Sequence, residues 1–239
     1  MATPKVLVLG GNFGGLTAAI SVKDALEDDA DVTVISPSQD FLFNPSLIWV
    51  PFGQRNVADI TFPVAPTFEH AGVEFILAAA TNIDTATSTV TDDTGGTHPY
   101  DYLVIATGYD RNTTVIPGLD PSNSVYDITT LDGAQTAGEG WRKLIDDPGP
   151  VIIGATQGAG CFGAAYEFLF NLDVNARRAK IRDKISVTYV TAEPELGHFG
   201  IGGLPGGEKM LTKFLAHYDI NHVTSAAMEE VTPGKLKLT

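Results

Sequence analysis

One cysteine is the clearest candidate for chemistry in this chain. Cys161, the only cysteine among 239 residues, lies in the glycine-rich segment VIIGATQGAGCFGAAYE, residues 151–167. A thiol at the start of a helix meets the positive end of the helix dipole, which favours the reactive thiolate. Free cysteines are also often inert core residues, so both interpretations stay open. A single cysteine excludes a disulfide within this chain.

Two further side chains are candidates for acid–base chemistry. Glu167 follows Cys161 by six residues, so a helix would place the two on different faces. A solvated carboxylate is the alternative for Glu167. His198 lies among glycines in LGHFGIGG, where a structural role is the alternative. The remaining histidines, whose spacing fits no metal site, are His70, His98, His217 and His222.

A second glycine-rich turn, LGGNFGGL at residues 9–16, follows an apolar strand pattern and opens a helix pattern. Backbone N–H groups at a helix N-terminus bind a pyrophosphate, and glycines let it approach closely. Gly10 and Gly15 match the G-x-G-x-x-G pattern, whereas Asn12 occupies its middle position. We expect a dinucleotide here, and a tight turn without a ligand is the alternative. The candidate contacts are Gly10, Gly11, Asn12, Phe13, Gly14 and Gly15.

Two strand ends would complete such a site. The acidic residue that usually binds a ribose at the end of the second strand is replaced by Ser36. A hydroxyl binds a ribose hydroxyl less strongly than a carboxylate does, which weakens NAD as the ligand more than FAD. The ATG sequence of Ala106, Thr107 and Gly108 is typical of the point where a chain passes the FAD pyrophosphate.

Two strand–helix–strand patterns, about 145 residues apart, position these residues. Continuous apolar runs are typical of parallel strands buried on both faces, and apolar residues at helical spacing indicate the helices. The predicted strands are 6–9, 32–35, 151–153 and 186–190, and the predicted helices are 16–26 and one beginning near 162. The duplication predicts an α/β fold with two Rossmann-like FAD/NAD(P)-binding domains, the first of them incomplete.

The segments between these patterns indicate a domain boundary. A strand is predicted at 73–77, a hairpin or short meander turns at DDTGG, and another strand runs over 101–108. A connection with proline and glycine at 115–123 indicates the change of domain. We therefore expect an FAD-binding domain in 1–115 and a second Rossmann-like domain, which carries the cysteine, in 116–239.

Charge and hydropathy exclude several classes of partner. The chain carries 29 acidic and 15 basic residues, a formal charge of −14, which repels nucleic-acid backbones. No apolar run reaches the roughly 18 residues that span a bilayer. The N-terminus, MATPKVLVLGG, shows no signal-peptide pattern. We expect the protein in the cytoplasm or at the periphery of the inner membrane, and homo-oligomers stay open.

Five segments together resemble one flavoprotein family, the sulfide:quinone oxidoreductases. They are LGGNFGGL, FLFNPSLIWVPFGQRNVADITFPV, YDYLVIATG, GAGCFGAAYE and RDKISVTYVTAEPELGHFGIGG. The family belongs to a group with two dinucleotide-binding domains, which also holds flavocytochrome c sulfide dehydrogenases and type II NADH dehydrogenases. The CFGxAYE and EPxLGHFGIGG segments indicate the sulfide branch, whereas LGGNFGGL and ATG are shared by the whole group.

The resemblance implies FAD as the cofactor and a redox role for Cys161. In the family this cysteine pairs with a second one from the C-terminal third, directly or through bridging sulfur. Sulfide attacks the bridge, a thiolate adds to the flavin, and the reduced flavin passes two electrons to quinone. Glu167 is implied in proton transfer. The residues implied at FAD are 10–15, Thr107 and Gly108 for the pyrophosphate, Ser36 for the ribose, Ala80 for the adenine and Pro45 for the isoalloxazine.

Departures from the family restrict this assignment. Thr129 occupies the position of a further cysteine in many relatives, so a route through a third thiol is absent. Gly133 occupies the position of a histidine in some relatives, so a proton relay through that histidine is absent. No cysteine lies near FNPS, which excludes covalent flavin by the flavocytochrome route. Family members are much longer, and their last third supplies the second cysteine, the quinone site and membrane-binding helices. We therefore expect a truncated form that holds FAD weakly and does not turn over alone.

Two other functions stay open. The segment around Cys161 would bind NAD(P)H in a type II NADH dehydrogenase, with Glu193 near a ribose. Against this, counting from Gly154 places Thr156 and Ala159 at the other glycine positions, and a thiol would crowd a pyrophosphate. The third hypothesis is a non-catalytic module that binds a partner subunit.

Overall fold

The computed structural model describes residues 3–239. The chain forms two compact units: the first contains the residues up to Phe43 and Ile60–Arg111, and the second contains Asn44–Asp59 and Asn112–Thr239. In chain order the helices and strands are β1 (Lys5–Leu9), α1 (Phe13–Leu26), β2 (Asp31–Ser36), β3 (Asp40–Leu42), α2 (Val57–Ile60), β4 (Thr61–Pro63), α3 (Ala65–His70), β5 (Glu74–Leu77), β6 (Ala80–Asp84), β7 (Thr89–Asp92), β8 (Thr97–Pro99), β9 (Tyr102–Ile105), α4 (Leu131–Asp146), β10 (Val151–Ala155), α5 (Gly163–Arg178), β11 (Val187–Thr191), α6 (Gly207–His217), β12 (Ile220–Val223), β13 (Met228–Thr232) and β14 (Lys235–Leu238).

A parallel four-stranded sheet, in the order β5-β2-β1-β9, forms the centre of the first unit. On one face Val8 and Val34 pack in a cluster with Phe68 of α3. On the other face Leu9 packs in a cluster with Val90 of the β6-β7-β8 sheet. Both faces of the central strands are therefore buried, which explains their continuous apolar runs. Because the strands are parallel, their carboxyl ends meet at one edge.

Two boundaries in the first unit differ from the sequence prediction, and the prediction for the DDTGG segment is confirmed. The strand predicted over 101–108 covers Tyr102–Ile105, and the φ of 79° at Gly108 is incompatible with a strand at that residue. The first helix begins at Phe13 rather than residue 16, since Asn12 caps it. The segment around DDTGG is a meander of three antiparallel strands, as predicted.

A second parallel sheet, in the order β10-β11-β12, forms the centre of the second unit. Leu169 of α5, Tyr189 of β11 and Leu215 of α6 are fully buried around it. The antiparallel pair β13–β14 packs through Met228 against Val190 of β11. Two sheets of parallel strands, each combined with helices, confirm the predicted α/β Rossmann-like class.

A buried carboxylate ties the C-terminal half of α5 to the rest of the second unit. Asp173 is 1% exposed and accepts hydrogen bonds from Arg177 Nε at 2.7 Å and Arg182 Nε at 2.6 Å. Arg182 also donates to the carbonyl oxygens of Tyr218 and Asp219, at 2.6 and 2.8 Å, just before β12. Asp173 therefore balances an arginine that joins α5 to the end of α6.

Asp173→Asn is expected to lower the free energy of unfolding of the second unit by about 3 kcal/mol, because it leaves the buried Arg182 without a counter-charge. Urea denaturation followed by far-UV circular dichroism measures this change. Asp183→Asn, an exposed neighbour on the 3-10 helix Arg182–Lys184, is the matched control and should change it by less than about 0.5 kcal/mol. Equal stability of the two variants would contradict this reading of Asp173.

Candidate functional site

The loop between β1 and α1 lies at the carboxyl edge of the first sheet. Gly10 has a φ of 105° and donates to the Ile35 carbonyl oxygen at 2.8 Å. A Cβ atom on Gly10 would overlap the carbonyl oxygen of Ala106, so glycine alone allows the loop to lie against the chain that leaves β9. A Cβ atom on Gly15 would likewise overlap the Gly10 carbonyl oxygen.

The start of α1 offers backbone donors to an anion. The side-chain oxygen of Asn12 accepts from the Phe13 N–H at 2.9 Å, which caps the helix. The N–H groups of Gly14 and Gly15 belong to the first turn, where no intrahelical acceptor exists. The structure describes every residue of this turn, and none of them is acidic. Together with the helix dipole, it fits the pyrophosphate of a dinucleotide.

Ser36 lies beneath the same loop, at the end of β2. Its Oγ is 3.2 Å from the position that a Cβ atom on Gly11 would occupy, and it accepts from the Ser38 N–H at 3.3 Å. The side chain is 4% exposed, so a ribose must lie directly against the loop to reach it. The Ser36 hydroxyl can still donate its proton to a ribose hydroxyl, and its second lone pair can accept a hydrogen bond from one.

The ATG segment follows β9 at the same edge. The Ala106 N–H donates to the Leu9 carbonyl oxygen at 2.8 Å and so extends the ladder between β9 and β1 by one bond. Thr107 and Gly108 are exposed beside it. The structure thus brings the 10–15 loop, Ser36 and the ATG segment to neighbouring strand ends. That is the arrangement of a dinucleotide cradle, and its residues fit FAD.

Ala80, the residue expected near the adenine, begins β6 and pairs with Asp92 of β7. Asp92 holds the turn that follows: its Oδ1 accepts from the N–H groups of Thr94 and Gly96, both at 2.8 Å. Its Oδ2 lies 2.8 Å from Nε2 of His98. Chiefly the hydrogen bond with His98, and then that with Thr94, holds the pKa of Asp92 well below its usual range.

Asp92→Asn is expected to lower the melting temperature of the protein near neutral pH. A folded-state pKa below the unfolded value means that ionised Asp92 stabilises the fold above about pH 4, and that this contribution is lost as the pH falls further. The variant should therefore show a smaller loss of melting temperature between neutral and acidic pH than the wild type. Asp24→Asn, an exposed position on α1, is the control. Parallel pH profiles for wild type and Asp92→Asn would refute this assignment.

Cys161 is exposed and lies two residues before the first residue of α5. The structure therefore excludes the interpretation of this cysteine as a buried core residue, while its redox role stays a prediction. Phe162, the N-cap residue, is 9% exposed and packs into the core of the second unit. The chain thus presents the thiol outward while the next side chain anchors the turn.

The other predicted residues of the second unit lie in three different places. Glu167 is exposed on α5, and Pro45 is exposed on the 3-10 helix Asn44–Trp49. His198 is half-buried in the 194–203 segment, a glycine-rich loop between β11 and α6. Within this unit the structure brings that loop to the cysteine turn, since a Cβ atom on Gly200 would lie 3.4 Å from Cε2 of Phe162.

Glu193 and Tyr166 are the residues that the sequence interpretation undervalued. Glu193 is 2% exposed, and its two oxygens accept from three hydroxyls and one N–H. Tyr166 and Tyr189 are two of these donors; burial is the main cause that raises the pKa of each tyrosine, and the charge of Glu193 adds to it. Both phenols therefore stay protonated and able to donate. The available signal was a glutamate two residues past a strand end, which suggested a ribose instead.

Gln157 explains the poor glycine spacing of the turn after β10. Its Nε2 donates to the Met228 carbonyl oxygen at 2.9 Å, and its Oε1 accepts from the Met228 N–H at 3.0 Å. A Cβ atom on Gly154 would lie 2.5 Å from the Val190 carbonyl oxygen of β11 and 2.7 Å from Cε of Met228. The turn is therefore engaged in packing β13, and the close approach of β11 requires the glycine at 154. Neither role imposes dinucleotide spacing on the residues that follow.

Residues 3–239 contain neither a cluster of metal-binding side chains nor a membrane-spanning helix. No group of three or more His, Cys, Asp or Glu side chains is arranged there to hold a metal ion. Among the helices of the same residues, none combines the length and apolar character that crossing a membrane takes.

Comparison with known proteins gives relatives for almost the whole chain. Sulfide-quinone reductase of Aquifex aeolicus is 35% identical over 231 residues, 97% of this chain and 53% of the relative. The X-ray structure of the sulfide:quinone oxidoreductase from that bacterium superimposes with a TM-score of 0.93, covering 98% of this chain and 54% of the other. Type II NADH:quinone oxidoreductase of Staphylococcus haemolyticus is 27% identical over 240 residues, 94% of this chain and 55% of the relative.

These matches confirm the resemblance to sulfide:quinone oxidoreductases. The chain spans about half the length of the curated relatives it matches. The family profile of the pyridine nucleotide-disulphide oxidoreductases matches residues 4–237, and proteins of this family and the sulfide-quinone reductases are FAD-binding flavoproteins. The chain therefore belongs to the pyridine nucleotide-disulphide oxidoreductase family.

Proposed function

We propose that this chain forms the FAD-binding and thiol-bearing part of an enzyme that oxidises sulfide and reduces quinone. The observation that carries the proposal is the exposed Cys161 at the turn before α5, in a chain 35% identical to a sulfide-quinone reductase. A flavoprotein that used only nicotinamide as reductant would have no need for a thiol at this turn. Since quinones reside in membranes, the intact protein would work at a membrane surface.

In this proposal the first unit binds the pyrophosphate, the ribose and the adenine of the cofactor. The first-turn N–H groups of α1 and the chain at Thr107 and Gly108 hold the pyrophosphate, and the Ser36 hydroxyl binds the adenosine ribose. The backbone at Ala80 contacts the adenine, and Pro45 approaches the isoalloxazine. When bound, FAD takes up the two electrons that sulfide loses on becoming zero-valent sulfur and hands them to quinone.

Cys161 is proposed as the sulfur carrier. It shares a sulfur bridge with a second thiol, which these 239 residues do not contain. Sulfide attacks the bridge, so that a new S–S bond forms on Cys161 while the old one breaks, and the second thiol leaves as a thiolate with the electron pair. Glu167 and His198 are proposed to carry the protons that sulfide releases and that the reduced quinone takes up.

Oxidation of NAD(P)H is the second candidate, because a type II NADH:quinone oxidoreductase is also a relative. A Rossmann-like domain that binds NAD usually presents an acidic side chain to the ribose after its second strand. The corresponding Glu193 is buried and accepts hydrogen bonds on both oxygens. Because both Glu193 oxygens already accept hydrogen bonds within the protein, they are not free to bind a ribose, which favours sulfide over NAD(P)H as the reductant.

A steady-state assay of quinone reduction tests the proposal. Intact protein, including any sequence beyond these residues, is loaded with FAD and mixed with a short-chain quinone under argon. Sulfide should start reduction of the quinone, and NADH at the same concentration should not. Reduction with NADH alone would replace sulfide oxidation by the second candidate, and no reduction with either would favour a non-catalytic module.

A further inference from the structure

Glu193 is a buried carboxylate that accepts four hydrogen bonds and that the proposed chemistry does not use. It lies two residues beyond β11 and is 2% exposed. Its Oε2 accepts from Tyr166 Oη at 2.9 Å, Thr191 Oγ1 at 2.9 Å and Tyr189 Oη at 3.3 Å. Its Oε1 accepts from the Phe199 N–H at 2.7 Å. All four partners donate, which suits a carboxylate, a group that only accepts.

The partners of Glu193 belong to α5, to β11 and to the 194–203 loop. Tyr166 belongs to the first turn of α5, four residues after Phe162. Its hydroxyl, besides donating to Glu193, accepts from the Gly197 N–H at 3.0 Å. Glu193 and Tyr166 together therefore hold two backbone N–H groups of the 194–203 loop, those of Gly197 and Phe199.

The loop in turn covers the residue beside Cys161. The Phe199 ring packs edge-on against Tyr166, with 5.3 Å between centroids. Gly200 follows, and a Cβ atom on it would lie 3.4 Å from Cε2 of Phe162. Because Phe162 is adjacent to Cys161, the position of the loop determines how firmly the cysteine turn is held.

We propose that Glu193 is a positioning residue, which fastens the 194–203 loop to the first turn of α5 and thereby fixes the turn that presents Cys161. Its value for sulfide oxidation rests on the proposed function, whereas the positioning itself does not. An amide in its place keeps one acceptor oxygen and brings two donors toward groups that already donate. Glu193→Gln should therefore release the loop while the sheet and α6 stay folded.

Hydrogen exchange and alkylation of the 239-residue chain test this inference. Because Cys161 is the only thiol, iodoacetamide reports on one site. In Glu193→Gln, amide exchange in peptides covering 194–203 should be about tenfold faster, as expected on losing hydrogen bonds to a charged acceptor. Alkylation of Cys161 should be at least about threefold faster, and exchange in peptides of β12 should be unchanged, an outcome that general destabilisation does not give.

Matched variants complete the test. Glu195→Gln lies in the same loop but is exposed, and it should behave as the wild type. Tyr166→Phe removes one of the four hydrogens that Glu193 accepts and also the acceptor of the Gly197 N–H, and should change both rates in the same direction. It serves as the test if Glu193→Gln does not fold.

Any of three results would overturn the inference. The first is wild-type rates of exchange and alkylation in Glu193→Gln, and the second is an equal effect of Glu195→Gln. The third is faster exchange throughout the second unit. Neither readout involves sulfide, FAD or quinone. The positioning role and the proposed function therefore fail independently.

Discussion

Cys161→Ser is expected to slow the reduction of bound FAD by sulfide roughly 1,000-fold, the scale seen when a covalent nucleophile is removed. Serine has no thiolate at neutral pH and cannot hold sulfur in an S–S bond. FAD binding should be unchanged, because the pyrophosphate cradle lies wholly within the first unit. Anaerobic stopped-flow absorbance of the intact protein measures the rate, and the FAD content of the purified variant checks the binding.

A matched variant separates loss of the thiol from disturbance of the turn. Gly160→Ser adds a side chain one residue earlier in the same turn, at an exposed glycine whose added Cβ atom would have nothing within 4 Å, and leaves Cys161 in place. It should retain reduction by sulfide within about threefold of the wild type, as surface changes usually do. If Cys161→Ser reacted with sulfide as fast as the wild type, the sulfur-carrier role of this residue would be lost.

Gly10→Ala is expected to weaken FAD binding by about 100-fold. An added methyl group meets two costs: a φ of 105°, which alanine adopts only with strain, and overlap with the Ala106 carbonyl oxygen. Relief requires the loop to move away from the segment after β9, which separates the two halves of the cradle. Fluorescence titration of apoprotein with FAD gives the dissociation constant.

Gly95→Ala isolates the effect of the collision. Gly95 lies in the same unit with a similar φ of 88°, but nothing lies within 4 Å of its added Cβ atom. This variant should lose some stability and keep its affinity for FAD. Equal weakening of FAD binding in both variants would mean that general loss of stability, and not the cradle, accounts for the effect of Gly10→Ala.

The two Rossmann-like units could be predicted from sequence because their signals are local. β1, its glycine loop and α1 occupy one continuous stretch, and so do β10, the cysteine turn and α5. Strands buried on both faces produce apolar runs, and turns of this kind require glycine. The position of Ser36 under the loop also followed from its place at the end of a strand.

The connections of Glu193 could not be predicted, because no periodicity relates its partners. Tyr166 comes from a helix, Tyr189 from a strand and Phe199 from a loop, and only the folded chain brings them together. A similar limit applied to Cys161. Its exposure depends on which way the turn faces once Phe162 is buried, and composition and spacing do not determine that direction.

The most direct test uses two separate anaerobic mixing experiments. The intact, FAD-loaded protein is mixed with sulfide in the first experiment and with NADH in the second. We predict that sulfide bleaches the visible absorbance band of the flavin, and that NADH at the same concentration leaves it unchanged over the same time. Subsequent addition of quinone should restore the band. Bleaching by NADH and not by sulfide would contradict sulfide oxidation by this protein.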